Sequence, residues 1–530
     1  MRSIRPLVFW PPALMLIASV TAGLINFDGF LKFANSANNF ILTNLDWAFT
    51  SIPFMAVLLA VIIAISPLGA VRIGGDKAVP ILSRWNWFAI TLCTTVAIGI
   101  LFWGAAEPMF HVNQPPAFLN VAPGSIEAVH FALSSMFLHW TITPYAIYAL
   151  PSLAFALSFY NFAKPYSLVG PLSVLTNLKT PDAGHGPEKI QKWTGDILDG
   201  LALMALVAGV AAALGTGVLT VVGGAEAILG LKDSLGLRFV ITSLIVAAFI
   251  ISSLSGLQRG IRWLSDINAR IFIVMAVFIL LAGPTREILL LTIDGLKHYV
   301  TNFIPASLAL GERASDPWTL DWTVYFFANW LAWAPLTALF LGRIAVGYTV
   351  REFLLFNLVL PSLFSIFWMG AIGGAAIMIN EGSAGALGAI LTANGPEAVI
   401  YLLLKALPFF SVVGFVFLIT VLISFVTAMD SNTLSISNLC MRSSSTDQKE
   451  QTFFGTEGAM KIFWGVLIGL ISFIMTSTTG IDGVRLLSNL GGVPGLFILI
   501  LSGAVLIKLL WGLIFGTAQK NKGRETALNR

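Results

Sequence analysis

Long apolar stretches recur through this chain, and their number restricts it to folds that live in a bilayer. A hydrocarbon layer takes about 20 apolar residues per helix. Twelve stretches qualify, over residues 7–25, 46–68, 86–108, 129–162, 198–224, 238–256, 267–284, 324–344, 353–379, 409–431, 458–478 and 486–516. The fourth and the last are long enough to tilt or to extend beyond the membrane. Segments this uniformly apolar are unlike the short alternating strands of a barrel. Composition agrees: 57 % of the 530 residues are hydrophobic and 11 % charged, against roughly 25 % charged in soluble domains. A water-soluble fold of this size would lack the charges to cover its surface, so an all-α membrane protein with twelve transmembrane helices is expected.

Basic residues orient the bundle. With a cytoplasmic N-terminus and twelve spans, most of the 30 Lys and Arg residues fall in cytoplasmic loops, as the positive-inside rule requires. This predicts a multi-pass protein of the plasma (inner) membrane with both termini cytoplasmic. Arg2 and Arg5 precede an apolar run as long as a span, with no small-residue cleavage site, so the first segment is expected to stay in place. Residues 286–304 set Ile288, Leu291, Ile293 and Leu296 among charges at roughly helical spacing, which suits an amphipathic helix along the outer interface. The tail after Gly516 is short, and without a nucleotide-binding loop ATP-driven pumping has no engine. Cys93 and Cys440 make neither a disulfide framework nor a metal pattern. No cofactor, metal or nucleic-acid partner is expected, and five scattered histidines do not suggest an enzyme.

Two clusters of aromatic residues sit inside spans. In the fourth, Trp140, Tyr145 and Tyr148 share one broad helical face beside Pro144; in the eighth, Trp330 and Trp333 are neighbours before Pro335. Trp and Tyr commonly mark membrane interfaces, but two mid-span clusters, each beside a proline that frees a backbone carbonyl, fit that poorly. Faces of Trp and Tyr hold cations that donate no hydrogen bonds, for about 2 kcal/mol or more per desolvated contact. Quaternary ammonium groups are such cations.

Four segments resemble the betaine/carnitine/choline transporter family: DWTVYFFANWLAWAPLTALFLGRIAVGYTVREF (321–353), HWTITPYAIYAL (139–150), FWGAAEP (102–108) and SGLQRGIRWLSDIN (255–268). The resemblance runs from the first span to the last. It implies a secondary transporter working by alternating access, often trimeric, with a LeuT-like 5+5 inverted-repeat core behind two N-terminal peripheral helices. The chain would then divide into 1–85 (tail and peripheral helices), 86–285 (first repeat), 286–320 (amphipathic helix and loop), 321–516 (second repeat) and 517–530 (cytoplasmic tail). Carried over by position, the family's aromatic box is Trp140, Tyr145, Tyr148 and Trp330, with Trp333 on the access path. Substrates implied are glycine betaine, choline or carnitine, or alternatively a sulfonium compound such as dimethylsulfoniopropionate or a simpler methylated amine.

Departures from the family pattern bear on substrate and ion. Tyr145 stands where the family usually has tryptophan, and Asn329 where it often has a second one; Asn329 can hydrogen-bond a polar substrate tail. Sodium-coupled relatives use an adjacent Thr-Ser pair, of which this chain keeps Thr427 but has Ala428. Val96, Thr427 and Thr216 are the candidate ion ligands, and sodium symport, proton symport and exchange all stay open. Glu107 reads as a proton or cation partner or as an interfacial carboxylate. Asp430 reads as a partner for a cytoplasmic base. Arg262 resembles a basic residue that replaces sodium in an exchanger, or is an anchoring arginine. His139 is a proton relay or a packed polar residue. The glycine-rich runs 207–224 and 369–375 are expected to let helices approach closely.

Overall fold

The computed structural model describes residues 4–95, 97–164, 167–175, 188–255, 258–441 and 456–528. Its helices, in chain order, are α1 Pro6–Ile25, α2 Phe27–Ile65, α3 Arg84–Thr95, α4 Ala97–Asn113, α5 Ile126–Trp140, α6 Ile142–Ala156, α7 Val169–Leu175, α8 Glu188–Leu229, α9 Leu235–Ser255 and α10 Gln258–Ala282. There follow α11 Thr285–Ser307, α12 Tyr325–Ile344, α13 Val350–Leu354, α14 Leu360–Gly382, α15 Ala386–Asn394, α16 Pro396–Lys405, α17 Phe410–Cys440, α18 Thr456–Thr479 and α19 Ile481–Leu528. Among the described residues the only β-structure is two isolated bridges, Ile4 with Met441 and Arg72 with Thr349. The chain is all-helical.

Each of the twelve apolar segments falls on a helix or a broken pair. Nine helices among the described residues are long and apolar enough to span a bilayer, or eleven when each bent pair counts as one span. Boundaries differ most at α2, which starts at Phe27 rather than near residue 46. The Asn26 side chain accepts from the Gly29 N–H at 3.0 Å and caps the helix, and no proline interrupts the polar stretch that follows until Pro53. The pair α15 and α16, hinged at Gly395 with φ +92°, was not expected from the sequence.

Prolines and glycines set the breaks that matter. A proline ring clashes with the carbonyl four residues before it. Pro144 does so to Trp140, where α5 ends; Thr141 has φ −120° and ψ −120°, and α6 begins at Ile142. Pro335 does so to Leu331, and the chain bends by 56° there. The freed Leu331 carbonyl faces Gly495 of α19, where a Cβ would lie 1.9 Å from that oxygen. Only glycine fits, and it lets α12 and α19 pack backbone to backbone. The expected close approaches also form: Gly209 lies against Trp333, and Gly370 against Thr292.

The helix α11 is amphipathic as expected, though rotated slightly. Ile288 is buried, Leu291 and Leu296 pack against the core, and Ile293 faces outward. Both cysteines are buried and free. At the start of α1, Arg5 pairs with Asp196 (2.5 Å) and Asp199 (2.8 Å) and donates to the Leu439 carbonyl, tying together α1, α8 and the end of α17.

Candidate functional site

A small cavity of about 60 Å³ lies where the α3–α4 break, α5, α6, α8, α12 and α17 meet. Trp140, Tyr148, Tyr325, Trp330 and Trp333 line it with Asn329, Thr94, Thr95, Ile98, Gly99, Thr216 and Ala428. The Trp330 ring is the hub. Its centroid is 4.9 Å from Tyr148, 5.6 Å from Trp140 and 5.7 Å from Tyr145. Aromatic pairs favour such tilted contacts over a face-to-face sandwich.

Local breaks aim these rings. Ending α5 at Trp140 frees the His139 carbonyl, which accepts the Trp330 indole N–H at 3.0 Å. The Trp140 indole donates to Glu107 Oε2 at 2.7 Å. The Trp140 ring lies on Gly99, where a Cβ would come within 2.5 Å of it. Both indole N–H groups are therefore spent on protein partners. What the cage retains is π surface.

Glu107 lies buried inside the protein. The predicted segment ended at residue 108, but α4 continues to Asn113, and Glu107 has no exposed surface. Its Oε1 meets His139 Nδ1 at 2.7 Å and His111 Nε2 at 3.5 Å. The His139 Nε2 meets Thr323 Oγ1 at 3.1 Å, and the Trp318 indole donates to His111 Nδ1 at 3.1 Å. The His139 side chain thus packs against Glu107, while its carbonyl serves Trp330.

The other expected residues are placed as follows. Tyr145 touches Trp330 but does not line the cavity; its hydroxyl is 3.0 Å from Ser365 Oγ. Asn329 lines the cavity with its Oδ1 accepting from Ser488 at 2.9 Å. Thr216 lines it with its hydroxyl donating to the Ala212 carbonyl, and Thr95 likewise donates to Thr91. Val96 lies outside the described residues, as do the side chains of Thr427, Asp430 and Arg262.

Sequence reasoning missed Tyr325 and His111. Tyr325 precedes Asn329 by four residues on the same helical face, and His111 follows Glu107 by four, so spacing alone carried both signals. Tyr325 also lines a second cavity of about 160 Å³ with Asn35, Asn38, Asp321, Asp482, Arg485 and Asn489. There the Arg485 guanidinium stands 4.7 Å from the Trp322 ring and 5.4 Å from Tyr325.

Comparison with known proteins agrees with the resemblance seen in the sequence. A glycine betaine/proline/choline transporter of Vibrio parahaemolyticus is 28 % identical over 484 residues, covering 88 % of this chain and 83 % of that protein. An ectoine/hydroxyectoine transporter of Virgibacillus pantothenticus is 27 % identical over 503 residues, covering 95 % and 96 %. A high-affinity choline transport protein of Escherichia coli is 29 % identical over 513 residues, covering 96 % and 72 %. The profile described as BCCT, betaine/carnitine/choline family transporter, matches residues 7–512. With a match across nearly its whole length, the chain belongs to the betaine/carnitine/choline transporter family.

Proposed function

We propose that this protein is a secondary active transporter of small quaternary-ammonium solutes of the glycine betaine, choline or carnitine type. The observation that carries this reading is the Trp330 ring, flanked by Trp140 and Tyr148 on the cavity and backed by Tyr145. Both tryptophan N–H groups are engaged elsewhere. A cation that donates no hydrogen bonds loses nothing in such a cage and gains cation–π attraction. The relatives' names, which include betaine and choline transporters, point the same way. The cavity of about 60 Å³ lies directly against these rings, where a trimethylammonium group would meet their faces.

Transport would follow by alternating access between two inverted repeats, residues 86–285 and 321–516, behind the two peripheral helices. In support, the leading helix of each repeat is broken: α3 and α4 are bent by 59°, and the chain at Pro335 by 56°. Broken helices at the substrate level typify inverted-repeat carriers. The family resemblance further suggests a homotrimer in the inner membrane with both termini cytoplasmic. Thr94, Thr95 and Thr216 put hydroxyls on one stretch of cavity wall. Those of Thr95 and Thr216 donate to backbone carbonyls, which leaves oxygen lone pairs for a hard cation such as sodium.

Titration of the purified protein with choline, glycine betaine and carnitine, read by tryptophan fluorescence, tests the cage. Saturable quenching by at least one of them supports it. Absence of any response, together with no uptake into proteoliposomes, would overturn it.

A further inference from the structure

We infer that His139, seated on Glu107, is a proton-binding site whose loading weakens the cation cage, so that proton and solute displace one another. The inference rests on the cage reading above and starts from donors and acceptors.

An indole N–H only donates. Trp140 therefore requires Glu107 Oε2 to accept, and Trp318 requires His111 Nδ1 to accept. A neutral His111 then carries its proton on Nε2, which lies 3.5 Å from Glu107 Oε1 without hydrogen-bonding it. His139 Nδ1, at 2.7 Å from the same oxygen, supplies that carboxylate with a second hydrogen bond beside that of Trp140. Glu107 is thus arranged as an ionised acceptor. Adding a proton to His111 Nδ1 would break its bond from Trp318.

His139 has no such obstacle. Its free lone pair is on Nε2, which faces the Thr323 hydroxyl at 3.1 Å. A hydroxyl both donates and accepts. When a proton from solvent binds Nε2, the Thr323 hydroxyl rotates from donor to acceptor and every other bond of the cluster persists. Loading converts a net charge of −1 on the Glu107–His139 pair into zero, at no cost in hydrogen bonds.

That charge is wired to the cage. Glu107 holds the Trp140 ring and the His139 carbonyl holds the Trp330 ring. An ionised carboxylate on the indole N–H enriches the ring that faces a cation, and both are buried, where charges are screened less than in bulk water. A neutralised pair gives that up. By linkage, whatever the proton does to the cation's affinity, the cation does to the proton's.

Other charges around His139 are laid out differently. Asp321 comes from the segment leading into α12, Tyr325 from the first residue of α12, and Arg485 and Asp482 from α19; they meet at the second cavity. His298 of α11 and Arg313 line a separate pocket that Thr323 also borders. None of these six side chains is hydrogen-bonded to the cluster in the contacts described above.

Choline, which does not titrate in this range, is the probe. Its dissociation constant is measured by tryptophan fluorescence on the full-length protein from about pH 5.5 to about pH 8.5. The expected result is a constant that rises as pH falls, approaching about tenfold per unit, and that levels off at high pH. His139→Gln should flatten the profile, whereas His298→Gln should leave it sloped. Adding choline to weakly buffered wild-type protein should release up to about one proton per site, a readout that needs no variant. A flat wild-type profile, no proton release, or a slope that survives in His139→Gln overturns the assignment. Choline that binds at no pH overturns the cage reading and this inference with it.

Discussion

Glu107 and Trp140 lie 33 residues apart and meet through a 2.7 Å hydrogen bond from the indole Nε1 to Oε2, both fully engaged in the protein interior. The bond turns a carboxylate into the support of a cage wall. Hydrogen bonds to an ionised acceptor are about twice as strong as neutral ones, so Glu107→Gln keeps an acceptor while removing the charge. Choline affinity is expected to fall by about tenfold, roughly 1.4 kcal/mol. An unchanged dissociation constant by fluorescence titration would show that the charge is not felt at the cage.

Trp330 is the ring on which the cage converges, and Trp330→Ala should cost at least about 2 kcal/mol of cation binding, or about thirtyfold. Trp330→Phe retains a π face and should recover part of it. Isothermal titration with choline on both variants checks the order. Equal affinity in the alanine variant and the wild type would remove the ring from the binding site.

Gly99 bears the Trp140 ring, and a Cβ there would sit 2.5 Å from the ring's edge. Gly99→Ala must therefore push the indole away from its position above Glu107. Overpacking of this kind costs about 1–3 kcal/mol. Solute binding should weaken alongside a drop in melting temperature of the detergent-solubilised protein. A variant that melts and binds like the wild type would contradict the geometry.

Arg5 joins the start of α1 to Asp196 and Asp199 of α8. Asp199 is fully buried and also accepts from Ser167 and the Leu168 N–H. Removing Arg5 strands a buried carboxylate, and breaking such a pair costs about 3 kcal/mol or more. Arg5→Ala should melt several degrees lower, with Asp199→Asn in the same background restoring part of the loss. A double variant no better than the single one would argue that α1 is held by packing alone.

Thr216 offers a hydroxyl to the cavity with its proton already committed to the Ala212 carbonyl. If sodium is the driving ion, uptake into proteoliposomes should rise with an inward sodium gradient, and Thr216→Val should raise the sodium concentration needed for half-maximal uptake. Uptake indifferent to sodium in the wild type would remove Thr216 from any ion site.

Much of this architecture was written in local sequence. Twelve apolar segments are a property of runs, and each falls on a helix or a broken pair; Trp140, Tyr148 and Trp330 are a matter of helical spacing, and they share one cavity. What sequence could not give is pairing at a distance. Glu107 looked terminal because its segment ends in Pro108, yet that proline lies inside α4 and the helix runs on past it to Asn113. Tyr145 shares a face with Tyr148 on paper, but the break at Thr141 and the hydroxyl bond to Ser365 turn it behind the cage. The short helices α15 and α16 escaped notice because neither has a full span's length of apolar residues.

Tyr325 is the one side chain shared by the central cavity and the Arg485 pocket. The partition between them is therefore a single aromatic ring wide at that point. Tyr325 is itself buried, so its ring lacks the free nanosecond rotamer motion of an exposed side chain, and helix bundles rock in microseconds to milliseconds. Passage between the two cavities at that point would then wait for the packing around Tyr325 to loosen, which ties this one-ring door to the same helices that rock.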